Sequence, residues 1–82
     1  MITHNETALT PEQVNQLPLI GKCVNNWRMR TIDIYEHPAD PNRLITVGTS
    51  FEGNEVYICD EERRFYTTAL DYIKRGRIYV MG

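Results

Sequence analysis

The run ICDEERRFYTTALDYIKRGRIYV, Ile58 to Val80, constrains the fold most, because its middle carries helix punctuation between two strand-like segments. Asp60 stands at the N-cap position and Glu61 and Glu62 in the first turn. Lys74 and Arg75 follow in the last turn, with Gly76 just past the end. An acidic start, a basic end and a terminal glycine are the expected signals of a helix. At about 100° per residue, Phe65, Tyr66, Ala69, Leu70, Tyr72 and Ile73 share an arc of roughly 160°. Read instead as a hairpin with DEER at its tip, the run has two mixed faces, and only Thr67 and Thr68 favour strand. The pattern predicts a helix over 61–75.

Such a helix needs a sheet to cover. Trp27–Glu36 is β-rich and is followed by HPADPNR, a loop marked by two prolines. Leu44–Ser50 and Glu55–Cys59 read as two further strands joined by FEGN, with Gly53 free to take positive φ. Arg77–Met81 is a last strand. Upstream, TPEQVNQLP reads as a short helix with Thr10 as N-cap, Pro11 at the first helical position and Gln13 completing a capping box; Pro18 ends it. The expected architecture is α+β in a single domain, 1–82, with residues 1–9 a loosely ordered tail. It has a small four-stranded, mainly antiparallel sheet: a three-strand meander, then the helix, then the last strand. One face is covered by helix 61–75, and a short N-terminal helix is added.

Alternation assigns faces. One parity gathers Ile32, Ile34, Ile45, Val47, Val56, Ile58, Ile78 and Val80, the natural surface for the helix. The other gathers Trp27, Met29, Thr31, Asp33 and Tyr35 with Leu44, Thr46, Tyr57, Cys59, Tyr79 and Met81. Arg28 and Arg30 share the parity of Ile32. Either they lie beyond the helix edge, their stems covering apolar surface, or a bulge near Thr31 swaps the faces and sends Trp27 and Met29 into the core. The tyrosine-bearing face carries residues enriched at interfaces. The bland alternative is cross-strand packing with hydroxyls in water.

The chain offers little catalytic material. His4 lies in the expected tail and His37 in a loop, neither in a pattern such as HExxH. Cys23 and Cys59 lack CxxC spacing and read as reduced thiols. Cys59 with His37 is a conceivable nucleophile and base, but a half-buried structural thiol is the simpler reading. Clustered zinc ligands and glycine-rich phosphate loops are missing from the pattern, so no catalytic residue, metal or cofactor is assigned. Asp33 interrupts the aromatic face and reads as a salt-bridge or edge-blunting charge. Lys74, Arg75 and Arg77 read as dipole complements or as a recognition patch.

Nine Lys and Arg stand against eleven Asp and Glu, a net charge of -2 that argues against broad binding to phosphate backbones. The first ten residues carry no basic segment followed by an apolar run, and no stretch has the length of a membrane span. The expectation is a cytoplasmic protein without a membrane partner. The function expected is a non-enzymatic protein-binding module, whether regulator, inhibitor, adaptor or small subunit. Its partner is another protein or itself as a homodimer. Tyr35, Tyr57, Tyr79, Trp27 and Met29 form the expected docking face, with Arg63 and Arg64 at its rim. The alternative is single-stranded nucleic acid stacked on the same face, against which the charge counts.

Overall fold

The computed structural model describes residues 1–82. Six strands, two helices and a 3₁₀ turn follow in the order β1 (Ile2–Asn5), α1 (Pro11–Asn15), β2 (Leu19–Asn25), β3 (Arg30–Glu36), β4 (Arg43–Ser50), β5 (Glu55–Glu62), the 3₁₀ turn (Arg63–Tyr66), α2 (Thr67–Lys74) and β6 (Tyr79–Met81). They build one mixed sheet in the order β1-β5-β4-β3-β2-β6. The centre, β2 to β5, is an antiparallel meander, and β1 and β6 are parallel borders against β5 and β2.

This corrects the expected four-stranded antiparallel sheet. The extra strands are ITHN, expected as tail, and LIGKCVN, in which Gly21 and Lys22 interrupt the apolar pattern. The β3 strand begins at Arg30, because Asn26–Met29 form the turn from β2.

The expected helix 61–75 is shorter and starts later. Asp60, Glu61 and Glu62 stay in β5 because their carboxylates find cross-strand partners, which outweigh the dipole of a helix start. Asp60 accepts from Arg43 Nε at 2.6 Å, and Glu61 accepts from Thr46 Oγ1 at 2.7 Å. The C-terminal punctuation holds. Gly76 takes φ +74, its N–H reaches Ile73 O at 2.9 Å, and Arg77 N–H reaches Tyr72 O at 2.8 Å. That is a Schellman ending, which needs a residue tolerant of positive φ. The capping box of α1 is also present: Gln13 N donates to Thr10 Oγ1 at 3.2 Å, and Thr10 N to Gln13 Oε1 at 2.9 Å.

Each helix covers half of one face. On the α2 side, Cys23, Ile32, Ile34 and Leu44 pack with Tyr66 and Ala69. On the α1 side, Val14 packs with Ile45 and Ile58, joined by Leu17, Tyr35, Val47 and Val56. The expected ladder of eight aliphatics therefore does not exist. Ile32 stands opposite Gly48 and Ile34 opposite Thr46, so β3 places its isoleucines on the face away from Ile45 and Val47. Parity runs along a strand, but the phase between strands is set by the connecting loop, and one residue of offset reverses it. Ile78 and Val80 lie outside both clusters and stay largely exposed.

The result is a slab of 31 × 30 × 17 Å. Its accessible surface of 5435 Å² is larger than the value of about 5,100 Å² that scaling gives for its mass, as expected when both faces are half open. No helix is long and apolar enough to cross a membrane.

Candidate functional site

The hairpin between β2 and β3 pushes its two largest apolar side chains outward. Asn25 Oδ1 accepts the N–H of Arg28 at 3.1 Å, pinning the turn, and Met29 closes it at φ 55. A left-handed methionine is uncommon and costs free energy that the turn must offset. Trp27 is 82% exposed and Met29 62% exposed. The bulge that would have sent them into the core is absent near Thr31; the one register shift between β2 and β3 falls at Leu19/Gly21. Trp27 lies against Gly82, where an added Cβ would come within 2.5 Å of its Cδ1.

The three tyrosines do not share a face. Tyr35 belongs to the α1 side, its phenol pushed up by burial and by Asp33. Tyr79 lies on the α2 side, tilted against Tyr72 with centroids 4.9 Å apart. Tyr57 stands on the α2 side where α2 does not reach. His4 stacks on its ring at 4.5 Å and 10°, and the Arg30 guanidinium lies 3.4 Å from its centroid. Two groups this close must occupy opposite faces of the ring, so Tyr57 has no free π-face. Arg30 reaches it by crossing Gly48, where a Cβ would meet Arg30 Cδ at 3.3 Å. Arg30 thus lies beyond the helix edge, the first of the two placements its parity allowed.

The arginines expected at the rim lie at the opposite end of the sheet from Trp27. Arg63 donates to Glu36 Oε2 at 2.6 Å and to Pro41 O at 2.8 Å, while Arg64 pairs with Glu62. With Arg43 they line a cavity of 480 Å³ without a hydrophobic residue. Carboxylates already meet each guanidinium there. Asp33 forms an ion pair with Lys22 at 3.8 Å on the interior strand β3, so its charge does not blunt an edge.

The thiols and imidazoles have separate partners. Cys59 Sγ donates to Glu6 at 3.4 Å, and burial, with help from Glu6, pushes the thiol up to about 11. His37 faces Asp60 at 3.3 Å and accepts the N–H groups of Ala39 and Asp40 on Nδ1.

The feature that sequence reasoning missed is the β6 border. Ile78 is 67% exposed and Val80 50% exposed beside an open strand edge. Asn26 N donates to Met81 O at 2.8 Å, so β6 turns Met81 towards β2. Backbone groups alternate in direction along a parallel strand, so the N–H and C=O of Val80 point to the open side. Trp27 stands at the upper end of this border, beside Gly82. The apolar run after Gly76 announces a strand, but nothing in it announces a border. No protein-family model, curated protein or solved structure matches the chain.

Proposed function

We propose that this protein is a small non-enzymatic docking module, a regulator, inhibitor, adaptor or small subunit. It engages a partner protein through the β6 border and the neighbouring tip of the β2–β3 hairpin. The observation that carries this reading is the alignment of Trp27, Ile78 and Val80, all exposed, along a strand whose outward backbone groups are unpaired. Apolar side chains beside an open strand edge form the kind of surface that other chains extend. Trp is among the residues that most often dominate interface energetics. The engagement of Cys59 by Glu6 and of His37 by Asp60 and two backbone amides favours docking over chemistry. Base stacking of a single-stranded nucleic acid has less support, because both faces of Tyr57 are occupied.

The test is capture from a lysate of the source cells, comparing the wild type with a Trp27→Ala/Val80→Lys variant shown by circular dichroism and melting to be folded. A protein captured by the wild type and lost by the variant is the expected result. Identical captures by both proteins would overturn the β6 border as the docking surface.

A further inference from the structure

The β6 border is polarised along its length. At its lower end stand Lys74, Arg75 and Arg77, all exposed. Arg75 reaches Asp71 at 3.4 Å, whereas Lys74 and Arg77 make no ion pair. Three cations therefore meet one carboxylate, and the lower end carries unbalanced positive charge. In the middle, Ile78 and Val80 offer aliphatic surface around the free N–H and C=O of Val80. At the upper end the Trp27 indole stands beside Gly82.

We infer that this border takes an extended segment of a partner protein as an added strand, antiparallel to β6, apolar at its centre and acidic at its C-terminal end. The inference rests on the docking role proposed above and adds the chemistry of the partner. Strand addition draws affinity from main-chain hydrogen bonds and specificity from side chains at alternate positions. Antiparallel pairing is the slightly stronger arrangement per residue. It sets the C-terminal end of the incoming segment beside Arg77, where carboxylates meet the unpaired cations. Trp27 then packs on residues near the N-terminal end of the segment.

A second copy pairing β6 on β6 fits less well. It would bring another Lys74, Arg75 and Arg77 and set each Arg77 opposite Met81 and Gly82, with no Asp or Glu side chain in residues 77–82 to meet it. Charge complementarity selects the acidic partner.

The test uses the full ¹⁵N-labelled chain and two synthetic peptides. One is acetyl-Thr-Val-Thr-Val-Thr-Glu-Glu-amide, and its twin ends in Lys-Lys. The acidic peptide is expected to shift the amides of residues 78–82 and the Trp27 indole N–H. It should bind about three- to tenfold tighter than the basic twin at low salt, an advantage that fades at high salt. Arg77→Glu is expected to reverse the preference between the peptides. Val80→Pro removes an outward N–H and is expected to abolish binding. If Val80→Pro fails to fold, the reversal by Arg77→Glu decides alone.

Equal affinity for both peptides, shifts confined to another part of the sheet, or no shift at millimolar peptide would overturn the inference. So would a concentration-dependent oligomer in sedimentation that Arg77→Glu leaves intact and Val80→Lys dissolves, since the occupant would then be a second copy. A captured protein that still depends on Trp27 and Val80 while the peptides fail would leave the docking role standing and remove only the acidic strand.

Discussion

Gly21 and Ile73 meet so closely that a methyl group at position 21 would lie 2.6 Å from Ile73 Cγ2, with Cδ1 and Cγ1 at 3.0 and 3.1 Å. This contact seats α2 on β2. Three atoms of one branched side chain would have to move together, which a simple χ2 rotation does not achieve. Gly21→Ala is expected to destabilise the protein by about 1–3 kcal/mol in urea unfolding, the usual cost of overpacking. Ile73→Ala should cost less in that background than in the wild type. Strict additivity of the two changes would show that the contact is not the cause.

His37 holds its loop as an acceptor. Its Nδ1 takes the N–H groups of Ala39 at 3.0 Å and Asp40 at 2.9 Å, so the ring proton sits on Nε2, towards Asp60. His37→Ala leaves two donors without this partner, and because water can reach them the expected cost is about 1 kcal/mol. His37→Asn should recover part of the loss, because its side-chain oxygen can accept from the same amides. Amide exchange at Ala39 and Asp40 reads the effect directly: acceleration in the alanine variant and partial protection in the asparagine variant.

Stability should fall in alkali, and Cys23 and Cys59, both raised to about 11, should begin the fall together. Burial first, then the charges of Glu61 and Asp33, push the Cys23 thiol from 9.0 up to about 11. Below pH 9 both folded and unfolded chains keep the proton, so this thiol adds no slope. Between pH 9 and 11 the unfolded chain releases it while the folded chain holds it, and stability drops by on the order of 2 kcal/mol. Tyr66, raised by burial and by donating to Glu61 at 2.5 Å, extends the loss above pH 10. Cys23→Ala should make the curve between pH 9 and 10 about half as steep, since Cys59 carries a similar shift and still contributes. A curve unchanged in that variant would show that Cys23 titrates equally in both states.

Met29 pays for its position at φ 55. Met29→Gly is expected to raise stability by about 0.5 kcal/mol, whereas Met29→Ala, still strained, should not. Thermal melts decide this. Higher stability combined with weaker partner capture in Met29→Gly would place the exposed methionine in the docking surface.

Local signals in the chain were reliable where no distant segment competed for the same residues, and relations between distant segments were not legible. Thr10 and Gln13 announce α1 because a capping box needs only four consecutive residues. Gly76 announces the end of α2 for the same reason. Nothing inside ITHN distinguishes a border strand from a tail, since its pairing with Glu55–Ile58 is parallel and remote. The acidic run from Asp60 to Glu62 carries the signature of a helix start, yet Arg43 and Thr46 on the neighbouring strand claim it. Of the expected docking residues, Trp27 and Met29 are outward because a turn puts them there. Tyr35 is parted from Tyr57 by the strand phase that the loop from His37 to Asn42 decides. Tyr57 and Tyr79 share the α2 side but stand near opposite borders of the sheet.

The two borders of the sheet are also its most distant pairings along the chain, Ile2 with Glu55 and Tyr79 with Cys23. Hairpins β2–β3 and β4–β5 close over short turns, so the meander assembles early. Joining either border closes a loop of roughly fifty residues, which costs more entropy and comes later. The sheet therefore grows from its centre outward and opens from its margins inward. A partner strand laid on β6 would act on the last step of folding, holding shut the part of the sheet most ready to fray.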